Sequence, residues 1–315
     1  MLKFVVKRIL SCIPVLFVVI TLIFFMMRII PGDPAMNILG EDADPADVEA
    51  LRERMGLNDP LSVQYVKYLS GVVRGDWGTS LYNNVSVFEN IRSRLEPTIL
   101  LTIYSVTLSV LFGVPIGIIA ARKRNSLADY SLTFLSAVGM SAPGFWVGLM
   151  MVFYFGVQLR WFPVQGYTFV ADGGLKGALY SLTMPAIAYA LSYVSSLARY
   201  TRTMMLDVIN NDYIRTARAK GLIEGKVFYK HALKNALAPV VTNIGFSIAG
   251  LLGGSTIAET VFNIPGMGKL TYDSLMRRDY TQQQANLLLT TIILLATNII
   301  LDIVYKMLDP RIEFD

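Results

Sequence analysis

Few residues in this sequence could carry catalytic or metal chemistry. The stretch GMGKL, residues 266–270, has a Gly-Lys pair but lacks the earlier glycine and the Ser or Thr of a phosphate-binding loop. His231 is the only histidine and Cys12 the only cysteine, which excludes a multi-histidine or thiol metal site and an internal disulfide. A Ser–His hydrolase would need His231 beside a serine, yet it lies in a basic loop. We therefore expect no enzymatic site, no cofactor and no metal in this chain.

The composition instead indicates an all-α integral membrane protein. The 315 residues are 54% hydrophobic and only 16% charged, whereas soluble domains carry about a quarter charged residues. Apolar runs of about 20 residues recur, and each is long enough to cross a bilayer as a helix. Six spans are predicted, at about 9–30, 98–120, 130–156, 178–200, 236–257 and 284–305.

The distribution of Lys and Arg predicts that both termini are cytoplasmic. Basic residues cluster at the N-terminus, in ARKR at 121–124 and in the loop 201–234. The first span, within residues 1–30, is expected to be an uncleaved anchor. Residues 31–97 would then lie outside as a partly helical segment, in which DPADVEALRERMGL and PLSVQYVKYLSGVV predict two helices. A five-span core, 98–309, and a cytoplasmic tail, 310–315, complete the predicted domains.

The predicted spans are almost free of charge, which bears on the source of energy. Arg28, Arg199 and Asp302 all fall near predicted span ends, where they are expected to act as interfacial anchors. Ion-coupled transporters usually place ionisable residues deep in their spans. A transporter whose spans lack such residues would need energy from a partner. A stand-alone secondary transporter of small solutes remains the alternative.

Within the spans, glycine and proline predict close packing and one kink. Gly113 and Gly117, and Gly144 and Gly148, are spaced as small residues that let helices approach closely. Pro143 is expected to kink the third span, because proline removes a backbone hydrogen bond.

The basic loop is the most informative segment. Its stretch DYIRTARAKGLIEGKVFYKHALKNALAPVV, residues 212–241, contains six Lys or Arg and two Asp or Glu. Asp212 can cap a short helix and Gly221 can end it. Tyr213, Ile214, Ala217 and Gly221 would share one side, a small-residue surface open to a partner. An amphipathic helix resting on anionic lipid, in a membrane scaffold, is the other interpretation.

The loop resembles the cytoplasmic coupling loop of permease subunits of ATP-binding cassette (ABC) importers, in the dipeptide, oligopeptide and nickel branch. The resemblance extends along nearly the whole chain, through PGDPA, RGDWGTSL, SAPGFWVG, ETVFNIPGMGKL and LDPRIEF. It departs from the importers' general loop signature, because Arg215 and Thr216 stand at the Glu-Ala positions, and His231 and Lys234 at the Ile and Pro positions.

This resemblance implies a type I permease fold and a division of labour between subunits. The chain would form half of a pathway for di- or oligopeptides, nickel or a nickel chelate, or glutathione-like solutes, in the inner membrane of a bacterium. Its implied partners are a second permease, two ATP-binding subunits that hold ATP and magnesium, an extracytoplasmic solute-binding protein and the lipid bilayer, but no nucleic acid. The implied ATPase-coupling residues are Asp212, Tyr213, Ile214, Arg215, Ala217, Arg218, Lys220 and Gly221.

A second candidate site follows the fifth predicted span. Glu259, Phe262, Pro265 and Gly266 belong to a segment that is expected outside, at the outer mouth of the pathway. Pro265 and Gly266 impose a turn. The segment is either a lid that touches the solute-binding protein or a rigid connecting turn.

Overall fold

The computed structural model describes residues 2–29, 32–40, 42–252 and 255–308. Helices dominate, and within the described ranges the only extended pairing is one isolated bridge between Thr79 and Ser86. The predicted all-α class is confirmed. The predicted tail, 310–315, lies outside the described residues.

Fourteen α-helices and two π-helical segments follow one another along the described chain. Their bounds are α1 Leu2–Ile29, α2 Pro34–Leu39, α3 Pro45–Arg54, α4 Leu61–Arg74, α5 Val87–Arg122, α6 Leu127–Ser141, α7 Gly144–Met151, a π-helical segment Val152–Gln158, α8 Val170–Ile209, α9 Asp212–Ala219, α10 Glu224–Lys226, a second π-helical segment Val227–Ala232, α11 Leu233–Leu252, α12 Thr256–Val261, α13 Met267–Met276 and α14 Tyr280–Leu308.

Among the described residues, four stretches are long and apolar enough to span a membrane, and a bent pair could supply a fifth. The four are Val5–Ile29, Val87–Arg122, Glu224–Leu252 and Tyr280–Val304, and the pair is Leu127–Ser141 with Gly144–Gln158. The predicted fourth span, 178–200, falls inside α8, which does not pass the same hydropathy test. The count of six spans therefore stays a prediction.

The bend in the third predicted span has a clear cause. The two halves meet at 91°, and the break falls at Ala142 and Pro143, both with extended backbone angles. Pro143 becomes the N-cap of α7, so the expected kink is confirmed as a full break in the helix.

The chain divides into two compact units. The first contains residues 1–96, 253–256 and 265–296, and the second contains 97–252, 257–264 and 297–315. This division differs from the domain boundaries expected from the sequence, since 265–296 joins the N-terminal part. Those boundaries stay predictions.

In the first unit, the segment after α1 forms the two predicted helices, α3 and α4. Asp44 caps α3 by accepting a hydrogen bond from the Ala46 amide, and Gly56 follows that helix with φ +67°. α4 packs against α1, where Arg28 donates two hydrogen bonds to Gln64. A small apolar cluster of Val87, Ile91, Met267 and Ala285 forms another part of this unit.

The second unit holds the larger core. Leu101, Leu182 and Phe262 are buried within it. Glycines allow α5 to approach α8 closely: a Cβ on Gly117 would lie 2.4 Å from the Ala198 carbonyl oxygen, and one on Gly113 would lie 2.9 Å from that of Val194. Helix packing through Gly113 and Gly117 is thus confirmed.

The two glycines of the other pair, Gly144 and Gly148, have different surroundings. A Cβ on Gly148 would lie 3.0 Å from the Phe262 ring, whereas one on Gly144 would meet nothing within 4 Å. Close packing is therefore confirmed for Gly148, and for Gly144 it stays a prediction.

Candidate functional site: the coupling segment

The predicted coupling segment forms a short helix between two long ones. α8 ends at Ile209, and α9 covers Asp212–Ala219 after a turn of two residues. Asn211, and not Asp212, is the N-cap residue, and the Asn211 side chain makes no capping hydrogen bond. Asp212 is the first helical residue and its side chain is exposed, so the expected capping role is wrong. A carboxylate in the first turn still opposes the positive end of the helix dipole.

α9 has one buried and one exposed face. Ile214 and Ala217, three residues apart, are buried in a cluster formed entirely by this chain, which we call the loop cluster. Its buried members are Ala121, Met205, Ile214, Ala217, Val227, Phe228, Ala232 and Ala236. The expectation that Ile214 and Ala217 offer a surface to a partner is therefore corrected: they attach α9 to its own chain.

The exposed side chains of α9 and of the residue after it are mostly large and basic. Tyr213, Arg215, Arg218 and Lys220 are exposed, and the Arg215 side chain retains 77% of its accessible surface. Its contact with Asp212 is long, at 3.4 Å. The exposed face of α9 thus presents an aromatic ring and several cations.

The helix ends where the sequence predicts. Gly221 adopts φ +74°, and its amide donates a hydrogen bond of 2.9 Å to the Arg218 carbonyl. Left-handed backbone favours glycine, because a Cβ would crowd the following carbonyl oxygen. The predicted stop at Gly221 is confirmed.

Side-chain hydrogen bonds fix α9 to the segments that follow it. Arg218 donates through Nε and Nη2 to the two carboxylate oxygens of Glu224, at 3.1 and 2.8 Å. The Asn235 amide donates to the Tyr213 hydroxyl at 2.8 Å. These contacts orient α9 relative to α10 and α11.

A further ion pair in the second unit was not predicted. Arg202 on α8 binds Asp129 on α6 through Nε at 2.6 Å and Nη2 at 2.7 Å. The two residues are 73 positions apart, so no local spacing could show the pair. The one available signal was an aspartate just before the predicted third span, three residues after Ser126.

The outer-mouth residues are mostly buried. Glu259 and Phe262 lie in the second unit, and Pro265 and Gly266 lie in the first. Glu259 is fully buried and accepts a hydrogen bond of 2.8 Å from the Thr98 hydroxyl. Phe262 is 3% exposed, and its carbonyl accepts a hydrogen bond from the Gly166 amide.

These contacts favour a structural role for the outer-mouth residues. Pro265 is half-buried, and Gly266 is the buried N-cap residue of α13. Of the two interpretations left open, the buried positions favour the rigid connecting turn over a lid.

No group of three or more His, Cys, Asp or Glu side chains able to hold a metal occurs among the described residues. The predicted coupling segment thus has an exposed, basic face and a buried apolar face.

Comparison with known families covers both parts of the chain. Residues 113–314 match the model of the binding-protein-dependent transport system inner membrane component, and residues 1–102 match the N-terminal model for such membrane components.

Similar proteins match over their full length. A probable peptide ABC transporter permease, y4tP, of Sinorhizobium fredii is 40% identical over 99% of both chains. The oligopeptide permease AppB of Bacillus subtilis is 40% identical, and the glutathione permease GsiC of Escherichia coli K12 is 41% identical, each over 100% of both chains.

Solved structures support the same fold. A methionine ABC transporter, MetNI, in an inward-facing conformation gives a TM-score of 0.58 at 17% identity, over 70% of this chain and 97% of that one. An amino acid ABC transporter crystallised with histidines gives 0.53 at 15% identity, over 70% and 94%. This chain belongs to the family of inner-membrane permease components of binding-protein-dependent ABC importers.

Proposed function

We propose that this permease subunit forms half of the translocation pathway for di- or oligopeptides, including glutathione-like peptides. The supporting observation is the identity of about 40% with peptide and glutathione permeases, which extends over the whole chain and includes residues 31–97. The names of these relatives favour a peptide over nickel or a nickel chelate. A stand-alone secondary transporter fits poorly, since permeases of this family work with separate ATPase and solute-binding subunits.

The proposed assembly contains this chain, a second permease, two ATP-binding subunits and an extracytoplasmic solute-binding protein. ATP and magnesium would be held by the ATP-binding subunits. The chain would lie in the inner membrane of a bacterium with six spans and both termini in the cytoplasm.

The proposed contact with the ATPase is the exposed face of α9. Tyr213, Arg215 and Arg218 point away from the loop cluster, and Lys220 extends the basic surface at the end of the helix. Charge complementarity favours a cleft with acidic side chains on the ATPase. Ile214 and Ala217 would contribute by keeping α9 packed on the loop cluster when the ATPase moves the helix.

The test is reconstitution of the complete complex in proteoliposomes with the solute-binding protein. Uptake of labelled dipeptide, tetrapeptide and glutathione is compared with uptake of nickel, each with and without ATP. We expect ATP-dependent uptake of at least one peptide. Uptake that needs no ATP would contradict the importer mechanism, and ATP-dependent uptake of nickel alone would contradict the peptide assignment.

A pair of variants separates the coupling surface from general charge effects. Arg215→Glu reverses an exposed charge on α9, and Arg54→Glu does so at an exposed position on α3. We expect Arg215→Glu to lower recovery of the ATP-binding subunits in a mild-detergent pull-down, and Arg54→Glu to leave it unchanged. Equal recovery from both variants would remove Arg215 from the ATPase contact.

A further inference from the structure

The ion pair of Asp129 and Arg202 is built as a clamp between α6 and α8. The guanidinium of Arg202 binds both carboxylate oxygens of Asp129, in the bidentate geometry that makes such pairs strong and directional. The Asp129 side chain is 2% exposed and that of Arg202 is 26% exposed. The carboxylate is thus almost completely buried, while the guanidinium is partly exposed.

Further hydrogen bonds hold the carboxylate from α6 and from the turn before it. The Asn125 amide donates to one Asp129 oxygen at 3.0 Å, and the Thr133 hydroxyl lies 3.4 Å from the other. The Asp129 amide donates to the hydroxyl of Ser126, the N-cap residue of α6. The clamp therefore fixes the first turn of α6 and the turn before it to a single side chain of α8.

The clamp lies close to the coupling segment along the chain. Arg202 belongs to the last two turns of α8, which ends at Ile209 just before α9. On the same stretch of α8, Gly117 of α5 lies against Ala198 and Thr201 so closely that a Cβ would need the backbone to shift. The end of α8 is therefore held by tight packing against α5 and by an ion pair with α6.

We infer that Asp129 and Arg202 are positioning residues for energy coupling, and this rests on the proposed function of α9. A force applied to α9 reaches α8 directly. With the clamp intact, the end of α8 moves together with the start of α6. Without it, α8 can shift alone, and ATP hydrolysis is less well converted into solute movement.

The experiment measures ATP hydrolysed per peptide taken up by the full complex in proteoliposomes. Single changes, Asp129→Asn and Arg202→Gln, each leave one partner of the pair unmatched, which can impair folding. The double variant Asp129→Asn with Arg202→Gln leaves no unmatched charge and replaces the ion pair by two amides. Asp59→Asn, which breaks the exposed pair of Lys67 and Asp59, is the matched control.

We expect the double variant to assemble in normal amounts, with the ratio of ATP to peptide raised by roughly 2-fold to 30-fold. Asp59→Asn should leave that ratio unchanged, and Arg202→Lys, which retains the charge, should fall between wild type and the double variant. A role in folding alone would reduce the amount of complex and leave the ratio of the assembled complex at the wild-type value.

A wild-type ratio in the double variant would therefore overturn the inference while leaving the proposed function intact. ATP-independent uptake by the wild-type complex would instead overturn the proposed function, and this inference with it.

Discussion

Replacing Ile214 with alanine tests whether the loop cluster holds α9 in place. α9 has only eight residues, and isolated helices shorter than about 12–15 residues are marginal in water. Ile214 is fully buried, so its packing must supply much of the local stability.

The size of the effect follows from that burial. Truncating a buried isoleucine to alanine costs about 2–5 kcal/mol. Alanine recovers up to about 0.7 kcal/mol through its higher helix propensity, which leaves at least roughly 1.3–4.3 kcal/mol. If the cost falls on local opening, amide exchange in α9 should accelerate by roughly 10-fold to 1000-fold.

Hydrogen exchange read by mass spectrometry over residues 212–221, in lipid nanodiscs, is the direct assay. Thr216→Ala is the matched control, because Thr216 is exposed on the same helix and loses only a hydrogen bond to the Asp212 carbonyl. ATP-dependent uptake should fall in Ile214→Ala and persist in Thr216→Ala. Wild-type exchange in Ile214→Ala would refute the claim that the loop cluster supports α9.

Three further changes have outcomes set by local geometry. Gly117→Ala should lower the midpoint of thermal unfolding, because the new Cβ would lie 2.4 Å from a backbone oxygen of α8 and overpacking costs about 1–3 kcal/mol. Gly225→Ala should leave the midpoint unchanged, because no described atom lies within 4 Å of its Cβ. Equal midpoints in the two variants would contradict this. Gly221→Val should lower the stability of the end of α9 by about 1–2 kcal/mol, because valine is strained at φ +74°, and should speed trypsin cleavage after Arg218 or Lys220. Gly221→Asn should be tolerated, because asparagine adopts this backbone conformation more readily. Equal cleavage rates in the two variants would show that this backbone strain does not destabilise the helix end. Glu224→Gln should change stability by less than about 1 kcal/mol, since the Arg218–Glu224 pair is exposed; a larger loss in chemical denaturation would show that the pair matters more than its exposure suggests.

Local signals predicted the helices of the coupling segment and of residues 31–97. Asp44, Gly56 and Gly221 act through the backbone of their immediate neighbours, so their roles can be read from a few residues of sequence. The same holds for the break at Pro143, because proline affects only the residues beside it and the preceding turn.

Burial and long-range pairing were harder to predict from the sequence. Ile214 and Ala217 looked like a contact surface because their spacing shows that they share a face, but spacing does not show what covers that face. Arg202 was counted as a topological charge, and its partner Asp129 comes from a separate helix. In the same way, the burial of Glu259 depends on Thr98 and on other parts of the second unit.

The second π-helical segment, Val227–Ala232, affects how the long helix after α9 should be compared between relatives. A π turn accommodates one residue more than an α turn, and one α-helical residue corresponds to about 100° of rotation. Deleting one residue there would restore regular α-helix and leave α10 and α11 in nearly the same phase, because the wider turn already absorbs the extra residue. The same deletion within α11 would turn its two sides by roughly 100° relative to each other. A gap of one residue at 227–232 between relatives is therefore compatible with an unchanged orientation of α9, whereas a gap within α11 is not.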